Sequence, residues 1–303
     1  MKETDRYHIY INKHAGTVSD MGYSKLENMI ERSEIGVESL HFLGAERLIE
    51  KVEQDDGKFP ILIGGGDGTI RSCAAHFVDK EKAFGILPLG TMNLLAKDLD
   101  IPVRLEDAVS SYAAGSEIYE MDVGKVNDEI FLCCASLGTM PETSEYRERH
   151  RGDSAPLLMP RITAYILKQM DRRYHKRLWL KLDQNKSQKL KTAALVISNN
   201  QYGPQGQWTE GNFKRPSLQD NILGVYSATP YSFTDKLRLL LNLGLGDWKK
   251  DEALREWECK KLEVRSTESN MLLALDGETQ RFAMPLRFSV LHKGLKMIVP
   301  AGK

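Results

Sequence analysis

The feature that most constrains the fold is a run of glycines directly after a short apolar segment. Phe59–Ile63 is typical of a buried strand, and it stops at Gly64-Gly65-Gly66-Asp67-Gly68-Thr69. Consecutive glycines let the backbone approach a large anion, because no Cβ atom stands in the way. The loop amides and the positive end of the next helix, which we expect Thr69 to cap, would favour a phosphate group. The alternative is a flexible surface loop.

The first 120 residues alternate strand and helix patterns. Tyr7–Ile11 and Phe84–Leu87 are further short apolar runs, and Leu94–Leu99 and Leu105–Ala113 have helical spacing. Such alternation predicts a parallel sheet covered by helices. After about residue 118 strand patterns dominate, so we predict an α/β domain over residues 1–120 and a β-rich domain over residues 121–303.

Polar and glycine residues follow three of the predicted parallel strands, in the loops Asn12–Gly16, Gly64–Thr69 and Leu89–Asn93. Loops at the carboxyl ends of neighbouring parallel strands converge on one crevice. Within them, Thr91 and Asn93 could contact a nucleotide or simply cap a helix. Asp67 indicates Mg²⁺ chemistry or base catalysis, because a carboxylate beside phosphate is repulsive unless a cation or a proton mediates.

Composition narrows the class of protein. Lys and Arg total 42 and Asp and Glu total 42, so no global positive field would gather nucleic acid, and we expect no nucleic-acid partner. The four cysteines show no metal or disulfide spacing, which favours a reducing cytoplasm. No run approaches the ~20 apolar residues of a membrane-spanning helix, so any membrane contact would be peripheral.

Short motifs in a fixed order resemble those of the diacylglycerol kinase catalytic-domain family, which includes bacterial lipid kinases and sphingosine kinases. They are Asn12–Gly16, Gly65–Thr69, Leu87–Asn93, Leu99–Pro102, Asp122–Gly124, Ser136–Gly138 and Asp276–Glu278. The resemblance implies a phosphofructokinase-like α/β domain that binds the nucleotide and a β-rich, sandwich-like domain that binds a lipid. It leaves open that the C-terminal residues pack back on the first domain.

The same resemblance implies that the γ-phosphoryl group of ATP is transferred to a lipid hydroxyl with Mg²⁺. It places around the nucleotide Asn12, Gly64, Gly65, Gly66, Gly68, Thr69, Thr91 and Asn93. Asp67 would stand near the phosphates and hold the metal. Asp276 would accept the proton of the hydroxyl, with Asp67 as its rival for that role, and the catalytic Glu278 would lie close by for the metal or for orientation. For Asp276-Gly277-Glu278 the alternative is an ordinary hairpin turn.

Several questions stay open at this level. The substrate is open, because diacylglycerol and other lipids all present a hydroxyl near an apolar tail. The activity is open too, because a kinase of a soluble alcohol, or a catalytically silent nucleotide- or lipid-binding regulator, would use the same scaffold. A binding regulator needs no catalytic base, so the presence of both Asp67 and Asp276 argues against that alternative. A structural Mg²⁺ found in some family members is left open, because Asp220-Asn221 stands where they have Asp-Gly. A homodimer is also left open.

A basic stretch in the second half indicates transient membrane association. From Glu145 to Lys181 ten basic residues face four acidic ones, and the predicted helix Pro156–Arg172 has an apolar side. A basic amphipathic helix can lie on an anionic bilayer. The alternative is a helix that packs on the core and keeps a solvated basic face.

Overall fold

The computed structural model describes residues 6–150, 155–203 and 213–302. The chain divides into two compact units, the first formed by Met1–Val123 and His292–Lys303, the second by Gly124–Leu291. The first unit is therefore discontinuous in sequence, and the second is inserted between its parts.

Strands and helices alternate along the first unit. They are β1 (Arg6–Asn12), α1 (Gly16–Met21), α2 (Tyr23–Glu31), β2 (Gly36–Leu43), α3 (Ala45–Glu53), β3 (Ile61–Gly65), α4 (Asp67–Ala74), β4 (Ala83–Pro88), α5 (Leu94–Asp98), α6 (Leu105–Ala114) and β5 (Ser116–Val126), whose last residues pass into the second unit. The strands β2, β1, β3 and β4 pair in parallel in that order. This confirms the α/β architecture predicted from the alternation.

The last strand of the chain completes this sheet. Its residues Lys296–Ile298 pair in parallel with Ala83–Gly85 of β4. The buried hydroxyl of Tyr112, on α6, accepts a hydrogen bond from the Ile86 amide and donates one to the Ile298 carbonyl, both at 3.1 Å. The C-terminal segment is thus an integral part of the first unit.

The second unit is built mainly from antiparallel strands. Its elements are β6 (Glu129–Phe131), β7 (Cys134–Gly138), α7 (Thr139–Arg149), α8 (Ala155–Gln169), β8 (Lys176–Leu182), β9 (Gln188–Thr192), β10 (Ala194–Asn199), β11 (Leu223–Ala228), α9 (Phe233–Leu245), β12 (Leu254–Cys259), β13 (Lys261–Ser266), β14 (Asn270–Leu275), β15 (Glu278–Ala283) and the start of β16 (Leu286–Pro300). One sheet has the order β12-β11-β10-β7-β14-β15. The other joins β9, β8, β13 and β16.

These two sheets share one apolar core. Leu178 and Leu262 of one sheet belong to the same buried cluster as Leu195, Val225 and Leu273 of the other. Antiparallel sheets that bury one face each against the other form a sandwich. The β-rich, sandwich-like second unit is therefore confirmed. Among the described residues, no helix has the length and apolar character needed to cross a membrane.

The apolar runs Leu178–Leu182 and Ala193–Ile197, joined by the polar segment Asp183–Lys189, also predict a pair of strands, and this predicted pairing is wrong. Strand β8 pairs with β9 instead, and β10 pairs with β7 and β11 in the other sheet. Strand β9 begins at Gln188, inside the polar segment taken as a loop, and only its residues Leu190 and Thr192 are buried. Because one face of this edge strand is solvated, its sequence is mostly polar and does not stand out.

Candidate active site

Three loops of the first unit meet at the carboxyl ends of adjacent parallel strands. The Asn12 side-chain amide, at the end of β1, donates a 2.8 Å hydrogen bond to the Thr69 hydroxyl on α4. The Leu89 amide, after β4, donates to the Gly65 carbonyl at the end of β3 at 3.1 Å. The Thr17 amide on α1 donates to the Leu89 carbonyl at 3.3 Å. The structure therefore brings together the three loops that the sequence predicts to converge.

The second and third of these loops touch through glycine backbone. A Cβ atom added at Gly90 would lie 2.6 Å from the Gly66 Cα atom, so only glycine fits there. Asn93 closes the same loop, because its side chain accepts from the Gly90 amide and donates to the Gly90 carbonyl, both at 2.8 Å. These contacts show why small residues are needed here even before any anion is considered.

Asp67 links the glycine loop to the next helix. Its carboxylate accepts a 2.8 Å hydrogen bond from the amide of Leu94, the first residue of α5. A carboxylate at that position also complements the positive end of the helix. The half-buried Asp67 side chain thus anchors α5, in addition to any role toward phosphate or metal.

Thr69 does not cap a helix as predicted. Helix α4 begins at Asp67, with Gly66 as its N-cap and no side-chain hydrogen bond at the cap. Thr69 lies inside the first turn, and its hydroxyl is the acceptor for Asn12. The α4 N-terminus is left to its backbone amides, the arrangement that suits an incoming phosphate. Gly68 lies in the same turn, and the exposed Thr91 lies on the neighbouring loop.

Asp276 and Glu278 belong to the second unit, on the hairpin that joins β14 to β15. Leu275 pairs with Glu278, so Asp276 and Gly277 form a tight turn, and both have positive φ, 49° and 93°. Two positive φ angles define the turn that Asp-Gly favours between antiparallel strands. Asp276 is buried, whereas Glu278 is exposed at the start of β15.

The Asp276 carboxylate is held by three backbone amides. It accepts hydrogen bonds from Leu132, Cys133 and Cys134 at 2.7, 2.8 and 2.9 Å. The Asp276 amide in turn donates to the Cys134 carbonyl at 3.0 Å. Three N–H donors stabilise the ionised carboxylate and fix its orientation.

Arg215 holds the same segment from its carbonyl side and was not predicted. Its guanidinium, in a residue that is 1% exposed, donates to the carbonyls of Leu132 and Asn199 at 2.7 Å each. Peptide groups of the 132–134 segment therefore lie between a carboxylate and a guanidinium. Burial raises the pKa of the nearby Tyr202 well above its usual value, so that phenol stays neutral. An arginine in a polar stretch gives no sequence signal of such burial.

The described residues contain no group of three or more His, Cys, Asp or Glu side chains placed to hold a metal ion. Nucleotide-bound Mg²⁺ is commonly held by one or two carboxylates together with the phosphates, so Asp67 at the mouth of the glycine loop fits that kind of site. At Asp220, where the sequence leaves a structural Mg²⁺ open, the Ser217 hydroxyl donates to the Asp220 carboxylate at 2.6 Å.

Comparisons with known proteins agree with the sequence resemblance. Residues 6–126 match the model of the diacylglycerol kinase catalytic domain. "Probable lipid kinase YegS" of Escherichia fergusonii is 40% identical over 99 residues, which are 31% of this chain and 32% of that protein. A YegS-like relative from Citrobacter koseri is 36% identical over 99 residues, again 31% and 32% of the two chains. The match thus spans about a third of these curated relatives.

Solved structures extend the likeness of fold to the whole chain. A Bacillus anthracis protein superposes with a TM-score of 0.67 at 17% identity, and a diacylglycerol kinase from that organism with a TM-score of 0.63 at 15% identity. Each superposition covers 99% of both chains. Residues 6–126, which carry the three converging loops, match the diacylglycerol kinase catalytic domain model, and this confirms the resemblance seen in the sequence.

Proposed function

We propose that this protein is an ATP-dependent lipid kinase, which transfers the γ-phosphoryl group of ATP to a hydroxyl of diacylglycerol or a related lipid. The observation that carries the proposal is the set of three loops at the carboxyl ends of β1, β3 and β4, within the segment that matches the family model. An acceptor of this kind resides in a lipid phase, so the enzyme would work at a membrane surface.

The ATP phosphates would lie against the start of α4, where the amides have no side-chain cap. Asn12, Gly64, Gly65, Gly66, Gly68, Thr69, Thr91 and Asn93 would surround the nucleotide. When bound, Mg²⁺ would neutralise charge that develops on the transferred group. Asp67, with Glu278 as the second candidate, would hold it.

Asp276 would accept the proton of the lipid hydroxyl. Its three amide donors support an ionised carboxylate in one fixed orientation. Phosphoryl transfer demands mainly positioning and only a modest base, because its transition state is loose. Asp67 remains the rival for this role.

The direct test is incubation of the purified protein with labelled ATP, Mg²⁺ and a total lipid extract. We expect one or more labelled lipids, and their identification by mass spectrometry would name the acceptor. A labelled water-soluble product would instead indicate a kinase of a soluble alcohol. ATP binding without any transfer would indicate the silent regulator.

The variant Asp67→Asn removes the charge of residue 67 but keeps its structural contact. Asparagine keeps a carbonyl oxygen that can accept from the Leu94 amide, so the α5 anchor and the melting temperature should survive. Turnover should fall by about 10²–10³-fold, and more Mg²⁺ should be needed for half-maximal rate, because an electrostatic group beside the phosphates is lost. Unchanged turnover and Mg²⁺ dependence would reduce Asp67 to a loop anchor.

A further inference from the structure

Helix α9 of the second unit exposes an unusual apolar surface. Phe233, Leu237, Leu241 and Leu245 follow one another at intervals of four and are between 38% and 66% exposed. Because 3.6 residues complete a turn, this spacing keeps the four side chains on one side of the helix. We call these residues the α9 stripe. Tyr231, two residues before Phe233, is also exposed.

Helix α9, which carries the stripe, is firmly attached to the second unit. On its opposite side Leu239 is buried with Met170 and Ala193, and the Lys236 ammonium donates to the Leu167 carbonyl of α8 at 3.2 Å. The helix starts with a capping box, in which Ser232 and Asp235 exchange hydrogen bonds. Helix α9 is therefore fixed in place with apolar side chains on both faces, and the described residues of the second unit cover only one of them.

The charges around the stripe favour an anionic partner. In the described part of the chain, each acidic residue next to it has a cation within 4.0 Å, and these residues are Asp171, Asp235, Asp247, Asp251 and Glu252. Two exposed basic residues at the adjoining end of α8, Lys168 and Arg172, have no such carboxylate among the residues that the structure describes. Asp235, Asp251 and Glu252 share the single cation Arg238, so the count near the stripe is six basic residues, Lys168, Arg172, Arg173, Lys236, Arg238 and Lys250, against five acidic ones.

Aromatic residues at the same end suit a lipid headgroup region. The Arg172 guanidinium lies 5.1 Å from the centre of the Tyr231 ring, which is exposed beside Phe233. Arg173 lies over the ring of Tyr174, also exposed, at 5.6 Å. Tyrosine rings with an apolar body and a polar tip favour the boundary between water and hydrocarbon.

We propose that the α9 stripe docks this protein on an anionic lipid bilayer. The four apolar side chains would enter the headgroup boundary with the helix lying in the plane of the surface, and Lys168 and Arg172 would contact lipid phosphates. This deepens the proposed function, on which the choice of a lipid surface over another apolar partner rests. It also assigns the membrane contact to α9, whereas the sequence pattern pointed to the basic helix before it.

The test is co-sedimentation of the full chain with vesicles of phosphatidylcholine, with or without phosphatidylserine, in the absence of ATP. Binding should require phosphatidylserine and should weaken with salt. Leu241→Ser should weaken it roughly five- to tenfold, and Leu237→Ser combined with Leu241→Ser more strongly, because half-exposed leucines lose their transfer into the lipid. Arg172→Gln should cost roughly fivefold on the anionic vesicles.

The matched control is Ile118→Ser, because Ile118 is 57% exposed and Leu241 is 56% exposed, but Ile118 lies on β5. This variant should bind like the unaltered protein, and all variants should keep its melting temperature. Equal losses for Leu241→Ser and Ile118→Ser, or no binding at all, would overturn the proposal. So would a dimer that the leucine variants dissociate without any vesicle binding, since the stripe would then join two copies. Neither result bears on phosphoryl transfer, which is measured separately with ATP.

Discussion

Replacing Asp276 by asparagine changes one atom of a carboxylate that holds a turn together. One Asp276 oxygen accepts from the Cys133 and Cys134 amides, and the other accepts from the Leu132 amide. In Asp276→Asn the carbonyl oxygen can keep the pair of bonds, but the new NH₂ group faces the Leu132 N–H. Two donors then meet, and a buried amide loses its acceptor.

The size of the effect follows from these contacts. A buried N–H without an acceptor costs about 1–3 kcal/mol, and the two surviving bonds weaken because their acceptor is no longer charged. We expect a total loss of about 2–4 kcal/mol in the unfolding free energy of the second unit. For a unit of this size, each kcal/mol lowers the melting temperature by about 2–4 °C, so the shift should be roughly 4–16 °C.

Differential scanning calorimetry of Asp276→Asn measures this shift, with Glu278→Gln as the matched control. Glu278 lies on the same hairpin and is exposed, so removing its charge should change stability by less than about 0.5 kcal/mol. An Asp276→Asn protein that melts like the control would refute the reasoning. Activity assays of this variant are meaningful only well below its own melting temperature, because loss of activity alone would not separate a missing base from a displaced turn.

Two further predictions concern other parts of the molecule. Gly90→Ala should weaken ATP binding, measured by calorimetry, about tenfold or more, because overpacking against Gly66 costs about 1–3 kcal/mol. The control Gly16→Ala should leave ATP binding unchanged, since a Cβ atom there meets nothing within 4 Å. Equal affinities in the two variants would contradict the contact. Burial of His175 lowers its pKa below 6.5, so the unfolded chain takes up the proton first as pH falls. The stability that neutral His175 contributes is present above about pH 6.5 and is lost below it, and His175→Gln should flatten that part of the melting profile. Parallel profiles for the two proteins would count against this assignment.

Much of the first unit could be predicted because its signals are local. Apolar runs such as Tyr7–Ile11 are strands, and the glycine loop follows the run that becomes β3. The strand β2 was missed because Glu38, Ser39 and His41 interrupt its apolar pattern. Its residues are only half-buried, as expected where a strand lies at the edge of a sheet.

The contacts within the candidate site could be predicted less well. Asp-Gly between two strands identifies the β14–β15 turn, but nothing local shows that Asp276 binds amides more than 140 residues earlier in the chain. The contact between Asn12 and Thr69 likewise joins residues 57 apart, and it gives Thr69 a different role from the predicted helix cap. Such contacts depend on the tertiary fold, which periodicity and local propensity do not encode.

Because the first unit is discontinuous, its last strand is synthesised only after the whole of the second unit. All of Gly124–Leu291 has been synthesised before Lys296–Ile298, the residues that pair with β4, leave the ribosome. The sandwich can therefore fold while the sheet with the glycine loop still has an open edge at β4. A fragment that ends at residue 291 should show protease resistance in the second unit first, because it lacks the strand residues that complete the sheet of the first unit. A fragment ending at residue 126 would retain the family match but lack the strand that Tyr112 binds.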